Sequence, residues 1–150
     1  MQLPEYITKA EVRRVCAELG IRDWTTLTKP EVTLAEARCI QAEVGGETAG
    51  LTAEQFCQGL EVELEHGITF PDANVTNNHP LLTGKIVLAH LKEMLDYYDR
   101  LNVAELEGDL LKAARAGNAE KVLRLYRRLL PARAALFAAE AAAVEAAALA

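Results

Sequence analysis

Apolar residues recur along this chain at helical spacing. Phe56, Leu60 and Leu64 repeat every four residues and set an apolar stripe on a helix predicted from about Ala53 to His66, ended by Gly67. Ile86, Val87, Leu91, Met94, Tyr98 and Leu101 mark the inward face of a longer helix from Pro80 or Leu81 to Leu101, and His90 falls between Ile86 and Met94 on the same side. Between the two lies "ITFPDANVTNNH", a loop by its Asp, Asn and Pro content. Two further helices, about 103 to 116 and 118 to 130, are joined at "AGN", a link short enough to make them antiparallel neighbours.

The N-terminal part carries a duplication. "TKAEVRRVCAELG" (8 to 20) and "TLAEARCIQAEVG" (33 to 45) match at Thr, Ala, Glu, Arg, Ala, Glu and Gly. In each copy the threonine caps a helix N-terminus, the glutamate three residues on returns the capping-box bond, and the glycine supplies the left-handed residue that stops it. Pro30 in "LTKPEV" allows a single turn between the copies. Pro131 opens a last segment, "ARAALFAAEAAAVEAAALA", of very high helix propensity. Its large apolar groups are few, so it must dock on something or fray. The predicted class is all-α: a compact bundle of short repeated helices and longer antiparallel ones, with an alanine-rich C-terminal helix. Residues 1–130 are read as a single helical domain and 131–150 as a tail.

Composition narrows the function. At 150 residues with few aromatics and a net charge of −6, the chain suits a helical fold and lacks the basic field that non-specific nucleic-acid binding needs. Lys121, Arg124 and Arg128 form a basic stripe, read first as a solvated face and second as a patch for an acidic partner or RNA. Cys16, Cys39 and Cys57 sit singly within helical patterns and serve as small apolar residues. The chain shows neither a leader pattern nor an apolar run suited to a bilayer, which points to a cytoplasmic protein with no membrane partner.

All three histidines, His66, His79 and His90, fall in one stretch. Glu63 and His66 form E-x-x-H, and His90 and Glu93 form H-x-x-E; a three-residue step places both members of a pair on one helix face, about 5 to 6 Å apart at Cβ. That reach suits a metal held between imidazole nitrogen and carboxylate oxygen, as in ferritin-like bundles, and mixed His and carboxylate donors suit iron or zinc. Glu65, His79 and Tyr97 are secondary candidates. The competing reading makes His90 a hydrogen-bonded core residue, leaves Glu61 and Glu65 solvated, and has His66 interacting with a helix C-terminus. Calcium is disfavoured in the loop, because Asn77 stands where the calcium loop needs glycine and Thr83 where it needs glutamate.

"VELEHG", "NVTNN" and "GKIVLAHLKE" followed by "DYY" resemble the DUF5661 family, small bacterial and phage-associated proteins of unassigned function, over about 33 to 101. The resemblance implies a helical fold and a shared site containing Glu63, Glu65, His66, His90, Glu93 and the paired tyrosines. It supplies no reaction. This sequence differs at Asn78 and His79, where acids are common in the family, and at Met94 and Leu95.

Two functions compete on this evidence. The first is a small protein binding iron or zinc through Glu63, His66, His90 and Glu93, completed in a homodimer or larger homo-oligomer if each chain holds half the ligands. The second is a metal-free interaction module that docks a protein partner through 131–150 and in which the His/Glu clusters close polar networks.

Overall fold

The computed structural model describes residues 6–45 and 51–148, and every regular element among them is helical. The order is α1 (Lys9–Leu19), a 3-10 turn (Trp24–Thr26), α2 (Leu34–Val44), α3 (Ala53–Thr69), α4 (Pro80–Glu93), α5 (Tyr97–Arg115) and α6 (Ala119–Ala148). The all-α class therefore stands. The chain forms two compact units, Met1–Glu93 and Met94–Ala150.

In the first unit the duplicated segments become α1 and α2, each 11 residues long. Thr8 Oγ1 accepts from Glu11 N–H at 3.2 Å, and Thr33 accepts from Glu36 while Glu36 bonds back to the Thr33 backbone, a complete capping box. The copies diverge at their ends. Gly20 takes the left-handed conformation with φ 66° and ψ 29°, whereas Gly45 has φ 62° and ψ −159°. The single turn lies at Trp24–Thr26, earlier than Pro30, because Asp23 Oδ1 accepts from the Thr25 N–H at 2.9 Å and caps it there.

Helix α3 packs on α2 and α4, and α4 packs on α2 and α1. The core is built from Val12, Cys16, Trp24, Ile40, Phe56, Leu60, Leu64 and Val87, all at most 1% exposed. The crossing at α4 is close because Gly84 has no side chain: a Cβ there would lie 2.8 Å from Val44 Cγ2, 2.9 Å from Ile40 Cγ2 and 3.3 Å from Phe56. Pro80, Thr83, Gly84, Val87 and Leu91 form the inward face of α4. Ile86 and Met94, predicted to be inward, are 38% and 43% exposed. A glycine and a threonine occupy the contact, so hydrophobicity alone misplaces the face. Cys16 and Cys57 are buried, while Cys39 is exposed rather than a core residue.

The second unit is an antiparallel hairpin of α5 and α6, closed around Leu106, Ala113, Leu125 and Leu129, with Val103, Leu110, Val122 and Ala132 against them. Arg133 pairs with Glu107 at 2.6 Å and Arg100 with Glu140 at 2.7 Å, which fixes the register along the pair. Two sequence expectations change here. The helix predicted to run from Pro80 to Leu101 is interrupted between Glu93 and Tyr97, and Tyr97 and Tyr98 open α5. Pro131 lies inside α6, which runs unbroken for 30 residues, so 131–148 continue the helix that begins at Ala119. Proline removes one N–H from the helical ladder, and with Pro131 and Arg127 both exposed, water can serve the Arg127 carbonyl that loses its donor.

Candidate functional site

Helix α3 presents Glu63 and His66 one turn apart, and α4 brings His90 to the same carboxylate. His90 Nδ1 lies 3.0 Å from Glu63 Oε1, and His66 Nδ1 lies 3.9 Å from Glu63 Oε2. The Glu63 side chain is 13% exposed, against 30% for His90 and 56% for His66. The first contact has hydrogen-bond length; the second is an electrostatic approach at the rim. A half-buried carboxylate is thus held between two imidazoles, one on its own helix and one on the neighbour. The pairing ties α3 to α4 across an otherwise apolar interface.

The other predicted donors are elsewhere. Glu65 and Glu93 are exposed. Tyr97 belongs to α5 in the second unit, where its ring meets Tyr98 edge to face at 5.1 Å. His79 is buried at the start of α4, immediately before Pro80. Its Nδ1 accepts from Leu82 N–H at 3.4 Å, and its carbonyl accepts from Thr83 N–H at 2.9 Å. Burial pushes this imidazole below its ordinary value against the opposing pull of Glu11 on α1, which keeps the accepting nitrogen free of a proton.

Among the described residues no group of three or more His, Cys, Asp or Glu side chains is arranged to hold a metal ion. The iron or zinc reading is therefore corrected. The E-x-x-H and H-x-x-E pairs do not converge as a four-donor set, because Glu63 and His90 satisfy one another while Glu93 and Glu65 turn to solvent.

Much of the remaining polar chemistry in this stretch locks the loop. Gly67 does not end α3; the helix continues to Thr69, and the glycine admits the side chains of the following loop. Asn74 Nδ2 donates to the Gly67 carbonyl at 3.1 Å and to Asn78 Oδ1 at 2.8 Å. A Cβ on Gly67 would overlap Asn78 Oδ1 and stand 2.8 Å from Asn74 Nδ2. Asn77 and Asn78 both have positive φ, 49° and 60°, a region that asparagine tolerates better than most residues. Asn77 Nδ2 donates to the Ile7 carbonyl at 2.6 Å. "VELEHG" and "NVTNN" are thus parts of one lock.

Chain 12–107 matches the model of a family described as a protein of unknown function, DUF5661. The chain belongs to the DUF5661 family. The match reaches further than the motif stretch suggested: it takes in most of α1 and all of α2, so residues 12–20 of the N-terminal copy of the duplication lie inside the family region. No curated protein and no solved structure matches the chain. Within the DUF5661 region, the residues that sequence reasoning missed are Arg22, Glu61 and Gly84. Arg22 grips Glu36 through Nε at 2.8 Å and Nη2 at 2.6 Å, and also donates to the Glu31 carbonyl. Glu61, expected in solvent, accepts from Val32 N–H at 3.0 Å and anchors the connection before α2. The capping-box motif pointed to Glu36 but held no hint of its arginine.

Proposed function

We propose that this DUF5661 protein is a cytoplasmic, metal-free helical interaction module that docks a protein partner through its C-terminal helix. One observation carries the reading: α6 buries Leu125 and Leu129 on α5 yet leaves Leu123, Tyr126, Leu130, Phe137 and Val144 between 45% and 72% exposed. Isolated exposed apolar residues are ordinary, whereas five in line on one helix mark a surface waiting for cover. The stripe runs into a cavity of about 430 Å³ at the hairpin tip, lined by Ala114, Gly117, Asn118, Ala119, Val122, Leu123 and Tyr126. An apolar side chain from a partner helix suits such a groove. The Glu63–His66–His90 cluster then acts as a polar tie between α3 and α4. Three free cysteines accord with a reducing compartment, and no helix among the described residues is long and apolar enough to cross a membrane.

The test is recovery of bound protein from cells on the tagged full-length chain, compared with Leu130→Glu/Phe137→Glu. Loss of bound species in the variant, with helicity and melting preserved, supports the reading. Identical recovery by both proteins refutes it.

A further inference from the structure

The exposed stripe of α6 has a period of its own. Leu123, Leu130, Phe137 and Val144 recur every seven residues, and from Leu130 onward the alternation is Leu130, Ala134, Phe137, Ala141, Val144, Ala148, in steps of four and three. A seven-residue repeat averages 3.5 residues per turn and is the signature of a helix wound against another helix along its length. The face is separate from the one α5 occupies: Val122, Leu125, Leu129 and Ala132 meet α5, while Leu130, Phe137 and Val144 stand off it.

We infer that the occupant of this face is a second copy of the chain, its α6 lying antiparallel. The inference rests on the proposal that α6 is the contact element and names the partner. Size complementarity sets the direction. In a parallel pair Phe137 would meet Phe137 and alanine would meet alanine, leaving crowded and hollow layers in turn. In the antiparallel register Phe137 faces the partner's Ala134, Leu130 faces the partner's Ala141 and Leu123 faces the partner's Ala148. These three large residues each meet an alanine, while Val144 meets the partner's Arg127, whose aliphatic stem can lie along it, and the helices approach closely at the alanine layers. Charge agrees. Lys121, Arg124, Arg127 and Arg128 outweigh Glu120 in the first half of α6, and the second half carries Glu140, which is paired with Arg100, and Glu145. Antiparallel pairing sets basic half against acidic half, while parallel pairing would stack like charges. The five large side chains, 45% to 72% exposed, offer on the order of 600 Å² per copy. Two copies then bury about 1,200 Å², the lower bound of a specific interface.

Light scattering on the full-length protein should give the mass of two chains, and Phe137→Glu should give one, with the helical signal unchanged. Orientation follows from a thiol-reactive bifunctional cross-linker in a Cys39→Ser background, since Cys16 and Cys57 are buried. Leu123→Cys mixed with Ala148→Cys should cross-link, while each variant alone should not. A monomeric wild type, a dimer that survives Phe137→Glu, or cross-linking of each cysteine variant with itself would overturn the pairing. A monomer that still recovers another protein through Phe137 overturns the second copy alone and leaves the module reading standing. If nothing depends on Phe137, both readings fall.

Discussion

Three helical glycines differ in what a methyl group would meet, and their substitutions should separate accordingly. Gly84→Ala forces Cβ into Val44 and Ile40 at the α2–α4 crossing, and should cost about 1–3 kcal/mol in denaturant unfolding. Gly67→Ala should release Asn74 and Asn78 from α3, which native-state amide exchange in the loop would detect. Gly108 in α5 has nothing within 4 Å of a Cβ. Gly108→Ala should therefore stabilise the hairpin by about 0.5–1 kcal/mol through helix propensity. An equal effect at Gly84 and Gly108 would refute the packing account.

Acid sensitivity is also a residue-scale property. Burial pushes the Glu36 carboxyl up, but the Arg22 guanidinium and the Thr33 backbone and hydroxyl outweigh it, and the group falls from 4.5 to about 2. A carboxyl lowered by folding contributes stability above its unfolded value and loses it as the pH drops from about 4.5 toward 2, here roughly 3 kcal/mol. His79 is lowered mainly by burial, so the unfolded chain takes up its proton first, and stability begins to decline as the pH falls below the ordinary 6.5. Both slopes have the same sign. His79→Asn, which keeps a capping side chain, should flatten the near-neutral limb in a series of melting curves. Glu36→Gln should remove the acidic one at a lower starting stability.

At the scale of elements, the helices and their starts were legible because Thr8, Thr33 and Thr52 each stand three residues before Glu11, Glu36 and Gln55, a short-range pattern. Boundaries set by tertiary contact were not. Gly67 reads as a stop, yet the loop needs it as a space. Pro131 reads as a break, yet Leu129 on one side and Arg133 on the other are both engaged by α5. Pro131→Ala should raise the melting temperature of the hairpin, with a gain on the order of 1–3 kcal/mol. The approach of Glu63 to His90 was legible as an acid meeting an inward imidazole. The failure of the four donors to converge was not legible, since pair spacing constrains one helix and says nothing of how its neighbour's donors turn.

At the scale of the molecule, each compact unit encloses a separate buried cluster and can be followed separately. The sole tryptophan, Trp24, is fully buried in the first unit and reports its unfolding by fluorescence. The hairpin core holds four buried residues, of which Leu129 is 1% exposed. Leu129→Ala should cost the hairpin about 2–5 kcal/mol and move part of the helical transition, while the tryptophan midpoint stays fixed. A shift of both signals together would show the units to be one cooperative body.

Asn77 reaches back to the Ile7 carbonyl, and α1 finds its helical neighbour in α4. Helix α1 also packs on the Trp24–Thr26 turn that follows it, but the Asn77 and α4 contacts come from sequence about sixty or more residues downstream. On the ribosome, α1 therefore emerges with only the Trp24–Thr26 turn to cover it, and the part of its apolar face that meets α4 stays bare until α4 has cleared the exit tunnel. Slow translation between those points would lengthen that exposure and draw the nascent protein toward chaperones.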